Sequence, residues 1–273
     1  MKPKVLLSFA FILFILTVGY ITNSQSSNNQ GEYILKYSLK EGEQYDYNVQ
    51  TIVEKSSKNV LEHVQMDVVG VDDNAISLEA RANSGSSVDS KEGIFYITMT
   101  PYGKIDQIDS QDLIIPEIQL EVVSILEYPE KEFKIGNTWS SDFNRSGSYF
   151  VDNNSIEYTV FGNTTYECLG GDKLSVKGGK FDCVSLATTT CYTLDAEYEY
   201  ANKSLHLITT GTTKGENWIS VDKGILIKSE YSIDKNTKGD YSDIYKDVGV
   251  KNAYRDTPFK IYVTRELVDV KGA

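Results

Sequence analysis

Apolar and polar residues alternate along most of the chain after residue 40. From Tyr45 to Val53 every second side chain is aromatic, aliphatic or threonine, and the same alternation recurs around Val64, Met66 and Val68. Short polar runs rich in Gly, Asn, Asp, Ser and Lys separate these stretches, as in turns between strands. The pattern predicts antiparallel strands with one face buried and the other in water.

One segment follows a helical period instead. Over about residues 110–128, apolar side chains fall on one side of a helical wheel and glutamates on the other. The apolar side includes Ile118, Val122 and Ile125, and Pro116 suits the first turn of a helix. Because a lone amphipathic helix must cover its apolar face, we expect this helix to pack on a curved sheet.

Two parts of the chain share a layout. The stretches 93–109 and 215–232 each contain a strand, a turn with one glycine, and a second strand. Segments beginning at Gly42 and Gly136 each continue with two polar residues, an aromatic residue and an alternating strand. The predicted fold is therefore mainly β: curved antiparallel sheets form a half-barrel of two related halves, with the helix packed on the sheet. The alternative is that unrelated meanders simply look alike.

The N-terminus carries an export signal. Two lysines precede an uncharged, largely apolar run over residues 5–22, which is typical of a signal peptide or membrane anchor. We predict that residues 1–24 are this signal or an uncleaved anchor and that 25–37 form a polar linker. The first β half with the helix then covers 38–130 and the second half 131–273. The protein is expected to be extracellular or at the cell surface, touching the membrane only through its N-terminal run.

The net charge and the sequence motifs limit which partners and which kinds of site are expected. The net charge of −12 repels phosphates, so we expect no nucleic-acid partner. The two histidines, His63 and His206, lie on the polar sides of predicted strands, away from any nucleophile motif. Residues 234–240 resemble a calcium loop only at the start, because Lys238 and Tyr245 stand where oxygen ligands are required. We interpret them as a surface turn and predict no catalytic residue, metal site or cofactor.

The three cysteines and four sequons are candidates for modification outside the cytoplasm. A disulfide between Cys168 and Cys183 across neighbouring strands is the preferred pairing, and Cys168–Cys191 is the second. Three buried thiols remain a third alternative. The candidate glycosylation sites, each in an N-x-S/T sequence, are Asn144, Asn153, Asn163 and Asn202.

Residues 170–186 and 217–232 together resemble a pattern found in exported β-rich domains. The matching positions are Gly179, Phe181, Cys183, Trp218 and Gly224. Such domains are similar to lipoprotein-carrier and lipocalin-like half-barrels, in which a curved antiparallel sheet wraps a helix. The likeness covers about 130–235 and, more faintly, 38–109. It implies an exported half-barrel, and its motifs carry no catalytic residue.

Two functions compete on these grounds. The first is a non-enzymatic, exported cell-surface protein that serves as a binding or structural module for another envelope component. The alternative is a carrier or sensor of a hydrophobic small molecule held between the curved sheet and the helix over 110–128. A third function, a hydrolase, ranks last. A cavity of several hundred cubic ångströms lined by Ile, Val and Tyr would favour the carrier, and a filled core would favour the first function. The residues expected to line such a cavity are Val64, Met66, Val68, Ile118, Val122 and Ile125.

Overall fold

In the part of the chain that the structure describes, eleven strands form one antiparallel sheet that curls into a half-barrel. The computed structural model describes residues 31–54, 59–84, 93–111, 125–151, 154–200, 203–249 and 252–272. The strands are β1 Gln44–Val53, β2 Asn59–Val71, β3 Ile76–Ser84, β4 Gly93–Met99, β5 Ile105–Gln111, β6 Thr138–Val151, β7 Asn154–Val176, β8 Gly179–Tyr200, β9 Lys203–Ser220, β10 Leu226–Asp240 and β11 Tyr254–Lys271.

The strand order explains why there is one sheet and not two. Across the sheet it reads β5-β4-β3-β2-β1-β11-β10-β9-β8-β7-β6, so each arm is a simple meander. The last strand, β11, pairs with β1 on one side and β10 on the other, and it joins the two arms. Among the described strands, β5 and β6 are therefore the two edges. The predicted hairpins over 93–109 and 215–232 correspond to β4–β5 and β9–β10.

The amphipathic helix predicted over about 110–128 is wrong. Residues 110 and 111 continue β5 and pair with β4, and residues 125–129 have no regular secondary structure. Ile118 and Val122 lie outside the described residues. No α-helix occurs among the residues that are described, where a single 3-10 turn spans Lys246–Val248. A short run rich in Ile and Val fits a strand or a helix almost equally well, so its spacing alone did not decide between them.

The main hydrophobic core joins strand residues of both arms to two segments that precede β1 and β6. We call these leader 1 (residues 33–40) and leader 2 (residues 125–134). Leader 1 buries Leu35 and Tyr37 completely or nearly so, although the sequence pattern placed both in a polar linker. Leader 2 buries Leu126 and Tyr128. The core is thus closed by two irregular segments.

The same local geometry recurs where each arm begins. The backbone N–H of Gly42 donates to the carbonyl of Val68 at 2.9 Å, and that of Gly136 donates to Cys168 at 2.8 Å. Both glycines have positive φ, and a bulge directly follows each accepting residue in β2 and β7. The two arms therefore start from the same turn, register and bulge.

Each leader docks on the hairpin turn of the opposite arm. In leader 1, the N–H of Ser38 donates to the carbonyl of Lys223 in the β9–β10 turn at 3.0 Å. In leader 2, the N–H of Tyr128 donates to the carbonyl of Tyr102 in the β4–β5 turn at 2.8 Å. The rings of Tyr37 and Tyr128 stack with centroids 5.2 Å apart. These reciprocal contacts tie the arms together away from β11.

The polar stretch 234–240, interpreted from the sequence as a surface turn, lies within β10. It pairs with β9 on one side and with β11 on the other. The backbone N–H and C=O groups of this stretch are therefore hydrogen-bonded within the sheet. The strand continues through it although its side chains are mostly polar.

Candidate functional site

A cleft of about 600 Å³ opens on the inner face of the sheet, between its two edges. One wall comes from the β4–β5 turn, β5 and the start of leader 2, and the other comes from β6 and β7. Inner-facing residues of β8, β9 and β10 complete its floor. The volume lies within the range typical of small-molecule sites.

A row of hydroxyl groups crosses the floor. Strand register places Ser141 opposite Thr164, Thr164 opposite Thr190, and Thr190 opposite Thr213. Since alternate residues of a strand share a face, these four side chains project on the same side. The Oγ1 atoms of Thr164 and Thr190 are 2.9 Å apart and hydrogen-bonded. The hydroxyl row offers donors and acceptors to a polar ligand group.

Aromatic rings flank the hydroxyl row. Tyr166 is buried and stacks on Trp139, with ring centroids 5.2 Å apart and planes inclined by 9°. Its hydroxyl accepts a hydrogen bond from the N–H of Glu127 at 3.4 Å, which links β7 to leader 2. The indole N–H of Trp139 donates to the carbonyl of Glu127 at 2.9 Å. This part of the wall is held by three elements at once.

Glycines make room for two further rings. Tyr192 lies between Gly162 on β7 and Gly211 on β9 in the cross-strand register. A Cβ atom on Gly211 would overlap the ring of Tyr192, and one on Gly162 would overlap the ring of Phe143. The two glycines therefore leave room for these rings, and both aromatic residues line the cleft.

The charged residues that line the cleft are Lys104, Asp106, Glu127, Asp142 and Arg145. Burial lowers the pKa of the Arg145 guanidinium, although Tyr158 and Glu127 oppose the shift. Burial raises the pKa of Glu127, against the effects of Lys104, a hydrogen bond from Ser141 and Arg145. The guanidinium lies 5.8 Å from the centre of the Phe143 ring. Because arginine stays protonated in proteins, the cleft holds a partly desolvated positive charge beside an aromatic ring.

The structure does not place all the residues predicted to line a cavity at the cleft. Val64, Met66 and Val68 are buried in the main core and do not line the cleft. Ile125 does line it. Ile118 and Val122 lie outside the described residues.

The structure does not bring the predicted disulfide partners together. Cys168 pairs in register with Leu186, whereas Cys183 pairs with Asp172, so the two cysteines lie about 10 Å apart along the strands. All three cysteines are free thiols; Cys168 and Cys183 are buried and Cys191 is exposed. Burial raises the pKa of the Cys183 thiol to about 12 and also raises that of Cys168. The buried pair acts as small apolar core residues.

Two of the four sequons fall on described residues. Asn144 is exposed on β6. The amide of Asn163 on β7 donates to Oδ1 of Asp142 at 2.7 Å. Asn153 and Asn202 lie outside the described residues. Glycosylation at these sites remains a prediction.

The histidines lie outside the cleft. His206 is on the surface, with Nε2 2.6 Å from Oδ1 of Asp195, and His63 lies 3.7 Å from Asp46. Across the described ranges, no three His, Cys, Asp or Glu side chains are close enough together to hold a metal ion. Nor does any helix in that part of the chain have the length and apolar character needed to cross a membrane.

Comparison with known proteins gives distant structural neighbours. No protein-family profile and no curated protein matches the chain. A Bacteroides fragilis structure, described as an exported protein with a YmcC-like fold, has a TM-score of 0.35 and is 9% identical in sequence. The match covers 87% of this chain and 99% of the Bacteroides chain. A Parabacteroides distasonis structure, described as a lipoprotein, has a TM-score of 0.35 and 12% identity, covering 88% and 100%. At these TM-scores the likeness carries no argument about this chain.

Proposed function

We propose that the protein is an exported, non-enzymatic binding module of the cell envelope whose cleft holds an amphipathic ligand. The observation that carries this proposal is the composition of the cleft: an aliphatic wall faces a row of hydroxyls and a partly buried guanidinium. Small-molecule sites combine a largely apolar surface with a few polar groups that orient the ligand. The acidic chain makes nucleic acid an unsuitable partner.

The aliphatic wall also supports a second candidate. Ile105 and Ile108 on β5 and Ile125 of leader 2 pack against the core while they line the cleft. This wall suits the carrier or sensor of a purely hydrophobic molecule. The hydroxyl row and Arg145 favour the amphipathic ligand, since a purely apolar ligand would cover polar groups without replacing their hydrogen bonds to water.

Two naphthalene probes distinguish these functions. 8-Anilinonaphthalene-1-sulfonate has an apolar ring system and a sulfonate, and N-phenyl-1-naphthylamine lacks the charge. We expect the sulfonate probe to bind one per protein and Arg145→Gln to weaken its binding at least roughly tenfold, because a hydrogen bond to a charged group contributes about 1.5–3 kcal/mol. The same variant should leave the uncharged probe unchanged. Fluorescence titration measures both affinities.

The control for Arg145→Gln is Arg81→Gln, on β3 of the other arm, which should bind both probes like the wild type. Equal affinity for the two probes, unaffected by Arg145→Gln, would favour the hydrophobic carrier. If neither probe binds to the native protein, the cleft is not a ligand site and the proposed function fails.

Export is tested separately through the N-terminal run. We expect Leu7→Arg combined with Ile12→Arg to leave the protein in the cytoplasm, because each charge within an apolar segment disfavours membrane insertion by about 2.5–3.5 kcal/mol. Protease added to intact cells should digest the wild type and spare the variant. Protection of the wild-type protein under the same conditions would contradict export.

A further inference from the structure

A second row of polar side chains lies on the inner face of the sheet, in the strands around β10. Strand register places Asn217 of β9 opposite Ser229 of β10, and Ser229 opposite Arg265 of β11. Residues opposite each other in register share a face of the sheet. Since Asn217 lines the cleft, all three side chains lie on the inner side. We call Asn217, Ser229 and Arg265 the inner polar row.

The inner polar row is deeply buried. Ser229 is 0% exposed, Arg265 3% and Asn217 7%. The amide of Asn217 donates to Oγ1 of Thr188 at 3.0 Å. In the part of the chain that the structure describes, the Ser229 hydroxyl has no hydrogen-bond partner. Because a buried hydroxyl without a partner is unfavourable, a ligand atom that accepts a hydrogen bond from Ser229 would be stabilised there.

The charges near the row favour a ligand group with one negative charge. Arg265 stays protonated, as arginine does in proteins. Its acidic neighbour on the inner face is Glu62 of β2, which lies opposite Val49 as Arg265 does from the other side. Burial raises the pKa of the Glu62 carboxyl, and the attraction of Arg265 opposes that shift. A doubly charged phosphate would meet Glu62 as well as Arg265, so a monoanion suits this place better.

We propose that the inner polar row is a subsite for the carboxylate of an apolar chain that lies in the cleft. The planar guanidinium of Arg265 donates two parallel N–H groups to the two carboxylate oxygens, and Ser229 donates its hydroxyl to one of them. The aliphatic wall of the cleft contacts the chain. The proposal rests on the ligand function of the cleft and adds a second anionic contact, with four strands between Arg265 and the strand that carries Arg145.

The cleft brings a ligand close to the row. On this side its described lining includes Asn217 of β9 and Tyr231 of β10. Neighbouring strands lie about 4.8 Å apart, so a ligand atom in contact with Asn217 lies within roughly one strand spacing of Ser229. A carboxylate at the end of a chain is narrower than the naphthalene rings of the sulfonate probe. We therefore expect the two kinds of ligand to depend on different arginines.

The test uses the full protein and cis-parinaric acid, a fluorescent fatty acid, with its uncharged methyl ester as the control ligand. We expect one parinarate to bind per protein in a fluorescence titration. Arg265→Gln should weaken parinarate at least roughly tenfold, because a hydrogen bond between charged groups is lost, and should leave the methyl ester unchanged. Arg145→Gln should weaken the sulfonate probe and have little effect on parinarate.

Ser229→Ala tests the row without removing a buried charge. It should weaken parinarate by about threefold or more. In the ligand-free protein it should not lower the urea midpoint of unfolding, because the hydroxyl has no partner to lose. Ser185→Ala is the matched control, since Ser185 is a buried serine of β8 whose hydroxyl donates to Glu216. That variant should lower the urea midpoint and leave parinarate binding unchanged.

Three results would overturn the proposal. If neither Ser229→Ala nor Arg265→Gln changes parinarate affinity while the sulfonate probe still depends on Arg145, the ligand function stands and the inner subsite fails. If both variants weaken the methyl ester as much as parinarate, the row acts through packing and not by binding a carboxylate. If neither parinarate nor the sulfonate probe binds the native protein, both proposals fail.

Discussion

Replacing Gly224 by alanine is expected to lower the free energy of unfolding by about 4 kcal/mol, one of the largest effects of any single substitution in this protein. Gly224 has φ +67°, which costs an alanine about 1–2 kcal/mol. The new Cβ would also overlap the backbone carbonyl of Lys36 in leader 1. Since backbone cannot rotate away like a side-chain tip, leader 1 must move, and its hydrogen bond from Ser38 to Lys223 is strained or lost.

Two other glycines supply the matched control. Gly42 and Gly136 also have positive φ, +86° and +80°, but nothing lies within 4 Å of a Cβ built on either. Alanine there should cost only the conformational strain, about 1–2 kcal/mol. Gly103→Ala should behave like Gly224→Ala, because its Cβ would overlap the carbonyl of Leu126 in leader 2. Urea unfolding curves measure all four variants, and equal losses throughout would contradict tight docking of the leaders.

The strand content of the fold was predictable, because alternation within a strand is a local property. The prediction of a mainly β protein is confirmed by the eleven-stranded sheet. The position of β11 was not predictable in this way. Its alternating residues fit any neighbour, and its insertion between β1 and β10 depends on long-range pairing that a periodic pattern does not encode.

The leaders and the helix show where local patterns fail. Leu35 and Tyr37 stand in an irregular segment next to a polar run, so they looked like linker residues. They are buried because the β9–β10 turn of the opposite arm is beside them. The segment over 110–128 had helical spacing, but its described ends are strand and coil. In both cases tertiary contacts outweighed the local signal.

The cleft was only partly visible in the sequence. Valines and methionine such as Val64 and Met66 were expected to line it, yet aliphatic alternation marks the tightly packed core. The lining instead contains the hydroxyl row and the rings over Gly162 and Gly211. The threonine-rich stretches of β7, β8 and β9 were the available signal, since a threonine cluster on an inner face has no reason to exist in a filled apolar core.

Truncating Glu43 to alanine is the second large effect that we expect, with a loss of about 3 kcal/mol in the free energy of unfolding. The side chain of Glu43 is buried. It accepts hydrogen bonds from the Tyr45 hydroxyl at 2.6 Å and the Lys223 ammonium at 2.6 Å. Lys223 belongs to the turn on which leader 1 docks, so the carboxylate holds that turn against the start of β1. Alanine would leave the Tyr45 hydroxyl and Lys223 without their partner.

The variant Glu43→Gln removes the charge of the side chain and keeps its size. Comparing its stability with that of the wild type over a range of pH therefore shows what the carboxylate charge contributes. Burial raises the pKa of Glu43, but Lys223 and Tyr45 outweigh burial and the net pKa is lowered. The stability that the charge contributes is therefore present above the unfolded-state pKa of about 4.3 and is lost as pH falls through the lower folded-state pKa. Urea unfolding should show a constant difference between wild type and Glu43→Gln from about pH 7 to 5 and a shrinking one below about pH 4. If the difference in the free energy of unfolding is undiminished at about pH 2.5, the carboxylate charge is not what holds the turn in place.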